Sequence, residues 1–411
     1  MTSVLYVAYE FPSLTQTFVY REVEQLSRLG ARVRVISLRR PSEDIGPYDE
    51  ARRAIDQVDY VGYVSPVAGL GHLVSLLFTK PAAVLRSVGQ LFAPVSPLRL
   101  RLPFVFHLLQ ACYIVRTYDV TQFDLIHAHF AAGPGSIALF MSTLSGVPFG
   151  ITAHAYDLFE DQVVLRAKLR HAALFVTISE FNRSWLRRRF GADAESVSVV
   201  RCGVDIAQLS LERTEVVRVD HRIVAVGSLN LKKGHDVLIR ACGILRDQGR
   251  PFDCRIVGAG SEHHNLMALI SELHLELNVT LVGALPQEAV RREIAQAEVS
   301  VLACRQSPSG DMDGIPVALM ESMAMGAAVV STTVSGLPEL ISSETNGLLV
   351  APESPEQLAS ALARLLSDGA LRARFAGEGI RTVRESFDLC ANSAKLLALM
   401  ESAVAKVGVS R

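Results

Sequence analysis

The chain has 411 residues, 49% of them apolar, and a formal net charge of −1. That length allows two hydrophobic cores of similar size, and the near-neutral balance leaves no basic surplus for a nucleic-acid backbone, so nucleic acid is not expected as a partner. The six cysteines, Cys112, Cys202, Cys242, Cys254, Cys304 and Cys390, are scattered without metal-site spacing, and several fall in apolar runs, which predicts reduced thiols in a cytoplasmic protein.

Met1 leads straight into an apolar run at 4–8, without the basic region and cleavage site of a secretory signal. Short apolar runs then alternate with helix-length amphipathic segments, the pattern of a parallel sheet covered on both faces. In the first half they predict strands at 4–8, 33–38, 125–128, 149–152, 174–178 and 197–200, with a helix at 17–29 closed by Gly30. The loop from Phe11 to Phe18 places Ser13 and Gln16 at capping-box spacing. In the same loop Thr15, Gln16 and Thr17 offer polar groups to a ligand.

Between Tyr60 and Tyr118 there is no acidic residue, while Lys80, Arg86, Arg99, Arg101 and Arg116 punctuate an apolar background that includes Leu73, Leu77, Phe78, Phe92 and Phe104. This fits an interfacial segment laid against anionic lipid, a peripheral attachment, and it also fits a buried pair of helices with basic edges. No uncharged apolar run reaches membrane-spanning length.

Asp124-Leu-Ile-His-Ala-His-Phe130 and Ile151-Thr-Ala-His-Ala-Tyr-Asp157 each put histidine at the carboxyl end of a predicted strand. There His129 and His154 can bond an anion or a sugar hydroxyl. His127, alternating with His129, is assigned to the opposite, buried side. The polar stretch 206–222 reads as a linker. Beyond it, strands are predicted at 223–226, 254–257, 279–282, 299–302, 328–331 and 348–350.

Gly227-Ser-Leu-Asn-Leu-Lys-Lys-Gly-His235 follows a strand and opens a helix, placing Lys233 where a phosphate would need a cation. Gly258 with Gly260, and later Gly283, mark two more strand-to-helix turns. Residues Asp313 to Gly326 place one carboxylate before a Gly-Ile-Pro turn and a second, Glu321, eight residues later. A helix expected from Pro316 to Met325 offers unpaired N–H groups and a positive dipole end to a diphosphate. Asp311-Met-Asp313 also spells a carboxylate pair suited to Mg²⁺ or Mn²⁺. Its position late in the second half makes that a coincidence, and no obligatory metal is expected.

The Asp313–Glu321 segment, with Ser331-Thr-Thr-Val-Ser-Gly-Leu-Pro-Glu-Leu-Ile341 and Asn346-Gly-Leu-Leu-Val350 after it, resembles the signature of the family-4 retaining glycosyltransferases. Asp313 stands where the family has a first Glu. The resemblance implies an α/β fold of two Rossmann-like, doubly wound domains facing across a cleft (GT-B). The expected divisions are an acceptor domain over 1–210, a nucleotide-sugar domain over 211–386, and a terminal helix within 387–411 returning to the first domain. It implies that Asp313 and the amides of Gly314, Ile315, Pro316 and Val317 serve the donor sugar and diphosphate; of these, Pro316 has no N–H to give. Glu321 would hold the ribose, and Lys233 the diphosphate. Ser228 replaces the family's Arg, so one expected cation is missing, and Lys232 is the candidate substitute. Gly227, Gly258, Gly260 and Gly283 would line the nucleotide through backbone groups, and His154 would lie by the donor sugar and acceptor.

The activity implied is retaining transfer of a sugar from a nucleotide-diphosphate sugar to a saccharide or lipid-linked saccharide. Attack comes from the front face, without a protein nucleophile, in cell-envelope or exopolysaccharide assembly. Two alternatives stay open, a non-catalytic binding protein on this fold and a sugar-phosphate synthase.

Overall fold

The computed structural model describes residues 1–13, 16–42, 49–92, 101–159, 164–214 and 216–409. Two compact units form, one from Met1–Val200 with Ala391–Arg411 and one from Arg201–Cys390.

In the first unit seven parallel strands, β1 (Ser3–Glu10), β2 (Arg32–Arg39), β3 (Val58–Tyr60), β4 (Leu125–His129), β5 (Phe149–Ala153), β6 (Leu174–Thr177) and β7 (Ser198–Val199), lie in the order β3-β2-β1-β4-β5-β6-β7. The order reverses between β1 and β4, where open α/β sheets form their ligand crevice beyond the carboxyl ends. β4 and β5 are buried throughout, as continuous apolar runs predict for strands covered on both faces. β3 is an unexpected strand, because its centre is a charged residue; Asp59 is neutralised there by Arg34 at 2.6 Å.

One face of this sheet is covered by the Thr17–Arg28 helix and by the Leu389–Val409 helix, which adds Leu396, Met400 and Ala403 to the cluster of Val4, Val33 and Leu125. The other face is covered by the Gly133–Ser145 helix, buried on almost all sides because a further helical layer lies over it. In that layer Arg101–Thr117 packs Phe104 against Phe140, ring centroids 4.9 Å apart. Pro66–Thr79 follows so closely that a Cβ on Gly69 would come within 2.8 Å of Leu109.

The outer side of Pro66–Thr79 is apolar and open. Val67, Leu70, Val74, Leu77 and Phe78 recur at helical spacing and are exposed, Phe78 at 84%. The segment is therefore not a fully buried pair of helices: its inner side is core and its outer side an exposed apolar stripe. Arg99 lies outside the described residues.

The second unit holds β8 (Arg222–Val226), β9 (Asp253–Val257), β10 (Val279–Gly283), β11 (Val299–Val301), β12 (Ala328–Thr332) and β13 (Leu348–Val350), parallel and in the order β10-β9-β8-β11-β12-β13. Here the reversal lies between β8 and β11. The stretch 206–222 is not a linker. The Ile206–Thr214 helix buries Ile206 and Leu209 with Val224 and Leu319. Glu212 meets Arg291 at 2.9 Å, and the Arg218 guanidinium donates to the carbonyls of Met325 at 3.0 Å and Gly326 at 2.6 Å. Charges that read as solvated have partners, so the first unit ends at Val200, ahead of the expected boundary at 210.

Candidate active site

At the β8/β11 reversal the loops after these two strands are laced together. Arg305 donates from its backbone N–H to the Lys232 carbonyl at 2.9 Å and from its side chain to the Leu231 carbonyl at 2.8 Å. A Cβ on Gly234, whose φ is +65°, would sit 1.9 Å from the Ala303 carbonyl oxygen. This packing brings Lys233 Nζ to 3.0 Å from Asp313 Oδ2, each side chain 13% exposed. Lys232 lies 2.8 Å from Asp311. Each carboxylate of the Asp-x-Asp thus faces its own lysine, and Lys232 can replace the missing Arg only by leaving Asp311.

Burial works against both charges of the Lys233–Asp313 pair, and the pair more than offsets it. The Asp313 carboxylate lifts the Lys233 pKa above its ordinary value, and Lys233, then Lys232, hold Asp313 below its own. The Cys304 thiol donates to Asp313 Oδ2 at 3.5 Å, and burial pushes its pKa up, keeping it a neutral donor. Burial and the nearby Lys233 hold His235 neutral, its pKa lowered to about 4.

Two of the glycines are required by the packing of the loops themselves. A Cβ on Gly258 would lie 2.0 Å from the Gly227 carbonyl oxygen, and one on Gly260 would lie 2.3 Å from that of Leu229. Their absence lets the turns after β8, β9 and β10 join through the Gly227 N–H to Val257, Leu229 N–H to Ala259 and Gly258 N–H to Gly283 carbonyls, at 2.9–3.0 Å. Gly283, at φ +85°, has open space where its Cβ would be. The Ser228 hydroxyl accepts from Asn230 Nδ2 at 2.9 Å.

The helix after Asp313 runs Val317–Ala324, with Pro316 as its N-cap rather than its first turn, and Gly326 at φ +74° beyond its end. Gly314 and the buried Ile315 carry the chain from Asp313 to it. The N–H groups of Val317 and Ala318 have no acceptor within the helix, while those of Leu319 and Met320 donate to the Pro316 carbonyl at 3.1 and 3.4 Å. Glu321 is buried, and its Oε1 accepts from Gln287 Nε2 at 3.1 Å. Gln287 opens the helix after β10. Sequence reasoning missed it, because the turn before it drew attention only to Gly283.

In the first unit Gln16 is the N-cap of the Thr17–Arg28 helix and makes no side-chain cap, so the Ser13–Gln16 capping box does not form. Thr17 is the first helical residue, and Thr15 lies outside the described residues. Gln16 lines a cavity of ≈ 960 Å³ with Tyr9, Arg39, Tyr63, Phe106 and His107. Tyr9 Oη is 2.7 Å from His107 Nε2, and burial lowers the His107 pKa to about 3.

His129 ends β4 and His154 follows β5, and the two rings meet, His129 Nδ1 2.9 Å from His154 Nε2. His127 is not on the opposite side. Residues two apart on a strand share a face, and its ring stands 5.1 Å from Tyr6 and 5.9 Å from His129. Burial holds His127 near a pKa of about 3, and burial with the two neighbouring imidazoles holds His154 well below its ordinary value.

Two carboxylates missed in the sequence support this cluster. Glu22 Oε1 is 2.8 Å from His129 Nε2, and Asp157 accepts from the backbone N–H groups of His154, at 2.8 Å, and Ala131. Glu22, His127 and His129 each present a ligand atom within 4.8 Å of the others, but Glu22 and His129 bond each other and His127 Nε2 bonds Thr152 at 2.9 Å.

Residues 15–208 match the family described as Glycosyltransferase Family 4, and residues 214–382 match Glycosyl transferases group 1. The chain is 34% identical over 250 residues to the amylovoran biosynthesis glycosyltransferase AmsK of Erwinia amylovora, covering 60% of this chain and 61% of that protein. It is 35% identical over 255 residues to the putative colanic acid biosynthesis glycosyltransferase WcaL of Escherichia coli K12, covering 59% and 61%. The chain thus spans 61% of the length of each of these relatives. The fold is shared with a sucrose-phosphate synthase of Thermosynechococcus elongatus, with TM-score 0.74, 18% identity and 99% and 100% of the chains covered. It is also shared with Anabaena HepE in complex with UDP and glucose, with TM-score 0.69, 17% identity and 98% and 100% covered. With both halves matched in this order and both parallel sheets present, the chain belongs to the family-4 glycosyltransferases of GT-B architecture.

Proposed function

We propose that this chain is a retaining hexosyltransferase that moves a sugar from a nucleoside-diphosphate sugar to a saccharide or lipid-linked saccharide in surface-polysaccharide assembly, on the cytoplasmic side of the membrane. The observation that carries this is the buried Lys233–Asp313 pair at the β8/β11 reversal, joined by a short turn to the start of the Val317–Ala324 helix. The diphosphate takes the helix amides and Lys233, Asp313 turns to the donor-sugar hydroxyls, and Glu321 with Gln287 holds the ribose. His129 and His154 belong to the acceptor side, with Gln16 and Thr17.

In the reaction the acceptor oxygen bonds the anomeric carbon as the bond from that carbon to the diphosphate oxygen breaks. The electron pair leaves on the diphosphate, which takes the acceptor's proton, so the protein supplies position and charge. No step needs a metal, and transfer is expected to persist in EDTA. The relatives' names, for amylovoran and colanic acid biosynthesis, support the pathway class, and the UDP complex of a protein with the same fold makes UDP-sugars the first donors to try. Purified protein offered UDP- and GDP-sugars should hydrolyse or transfer one of them, and Lys233→Ala should not. Folded protein that binds a nucleoside diphosphate yet turns over no donor is instead a binding protein.

A lipid-linked acceptor is favoured by the outer helical layer. Its exposed stripe, from Val67 to Phe78, lies in a stretch without acidic residues, next to exposed Lys80, Arg86 and Arg116. An anionic bilayer complements both, each basic residue near the surface adding about 1 kcal/mol. The chain should sediment with phosphatidylglycerol vesicles at low salt, and Phe78→Ser with Arg86→Gln should release it. Wild-type protein that stays in the supernatant overturns the membrane reading.

A further inference from the structure

Four side chains in the first unit form one hydrogen-bonded chain. Tyr6 Oη donates to Glu22 Oε1 at 2.7 Å, His129 Nε2 stands 2.8 Å from the same oxygen, and His129 Nδ1 stands 2.9 Å from His154 Nε2. The rings have little room to turn. Tyr6 stacks on His129 at 5.8 Å, and Phe18 and Phe130 lie 4.8 and 4.7 Å from His154.

The direction of the protons follows from the end of the chain. Glu22 accepts from Tyr6, whose hydroxyl burial and Glu22 itself keep protonated. Burial works against the Glu22 charge, but His129 and then His127 more than offset it, and its pKa falls below the ordinary value. An ionised carboxylate can only accept, so His129 carries its proton on Nε2. With His129 neutral its Nδ1 is a lone pair, and His154 supplies the proton between the two rings from Nε2, whereas an imidazolium at His129 would donate from Nδ1 and reverse that bond. The remaining nitrogen of His154 is Nδ1.

We propose that Glu22, acting through His129, is a positioning residue that fixes His154 as the Nε2–H tautomer, so that Nδ1 accepts a hydrogen bond from a sugar hydroxyl and not from any ligand lacking a proton, such as a phosphate oxygen. The functional half rests on the proposed glycosyl transfer. The other polar groups packed here do not compete for this imidazole. Asp157 takes the backbone N–H of His154, Lys168 donates to the carbonyls of Ala131 and Ala132, and His127 bonds Thr152. A cationic His154 at this place would suit the diphosphate, and a neutral acceptor suits a polyol.

The test is a long-range ¹H–¹⁵N spectrum of the full chain labelled on histidine, with His154 assigned by its loss in His154→Gln. The expected result is the Nε2–H pattern in the wild type, mixed tautomers in Glu22→Ala, and the wild-type pattern restored in Glu22→Gln, whose amide oxygen still accepts. The kcat of Glu22→Ala should fall about tenfold with the donor KM little changed, and Glu22→Gln should recover most of it. An Nδ1–H pattern in the wild type, or an unaltered Nε2–H pattern in folded Glu22→Ala, overturns the proposal. Transfer by His154→Gln at the wild-type rate overturns the hydroxyl role while leaving glycosyl transfer standing. If the wild type turns over no donor, the proposed function fails, and the spectrum still decides the tautomer.

Discussion

In Asp313→Asn the carboxylate facing Lys233 becomes a neutral amide of nearly the same shape. Lys233 Nζ and Asp313 Oδ2 lie 3.0 Å apart with both side chains 13% exposed. At that distance the attraction is about 5 kcal/mol for an effective dielectric near about 20. Removing one partner of such a pair costs about 3–5 kcal/mol, because the other charge is stranded. Asp311 also acts on Lys233 and softens the loss, so the lower end, about 3 kcal/mol, is expected. In calorimetry that is a fall of about 6–12 °C in the Tm of a unit of this size. Lys233→Met combined with Asp313→Leu should regain most of it, since no charge is left behind.

Because Asp313 titrates below its ordinary value, this contribution is present above about pH 4 and disappears as the pH falls through the depressed pKa. The functional signs are opposite for the two residues. Asp313→Asn frees Lys233, so UDP or GDP should bind at least as tightly by titration calorimetry. Lys233→Ala should weaken binding by about 1.5–3 kcal/mol, and both variants should lose transfer. A Tm within a degree of wild type for Asp313→Asn, or equal losses of nucleotide affinity in the two variants, would refute the reasoning.

Glu321→Ala should weaken nucleoside-diphosphate binding by about 1.5–3 kcal/mol, through lost charge-assisted hydrogen bonds; unchanged affinity in folded protein removes the ribose assignment. Gly258→Ala drives a Cβ to 2.0 Å from the Gly227 carbonyl at a φ of +146°. It should lower stability in urea by at least about 2 kcal/mol, and an unmoved midpoint would show that the loops part easily. Stability should also fall as pH drops from about 6.5 toward 3, since His127 and His107 are lowered to about 3 and His235 to about 4. Their depressed values mean that stability present above the unfolded pKa is lost on acidification. Asp157, pushed up to about 6 by burial, contributes with the opposite slope, so the comparison is with His127→Gln, whose acid limb should be flatter; parallel limbs would show that His127 takes no part.

The strands were legible because parallel strands covered on both faces must be apolar along their length, as in Ala328–Thr332, where every residue is buried. Val58–Tyr60 was not, since its stability depends on a distant Arg34 that cancels Asp59. The 206–222 segment failed for the same reason: Glu212 and Arg218 look solvated until Arg291 and the carbonyls near Gly326 are placed beside them. At the candidate site, Lys233, Asp313 and Glu321 stood out by spacing near special turns. Glu22 did not, because a glutamate on an amphipathic helix usually faces water, and only the fold sets it against His129. The error over His127 was one of periodicity, two residues being a full strand repeat.

The Leu389–Val409 helix closes the face that Val4 and Val33 begin, so the first unit is built from both extremes of the sequence. During synthesis, β1 through β7 emerge long before Leu396, Met400 and Ala403, and one side of their sheet must wait with only the Thr17–Arg28 helix to cover it. The second unit is an uninterrupted stretch and can complete its core first, although it is translated later. An expression fragment ending near Val200 would therefore carry a partly bare apolar face and be prone to aggregate. A fragment from Arg201 to Cys390 keeps its own cluster intact, which makes it the practical piece in which to measure nucleotide binding alone.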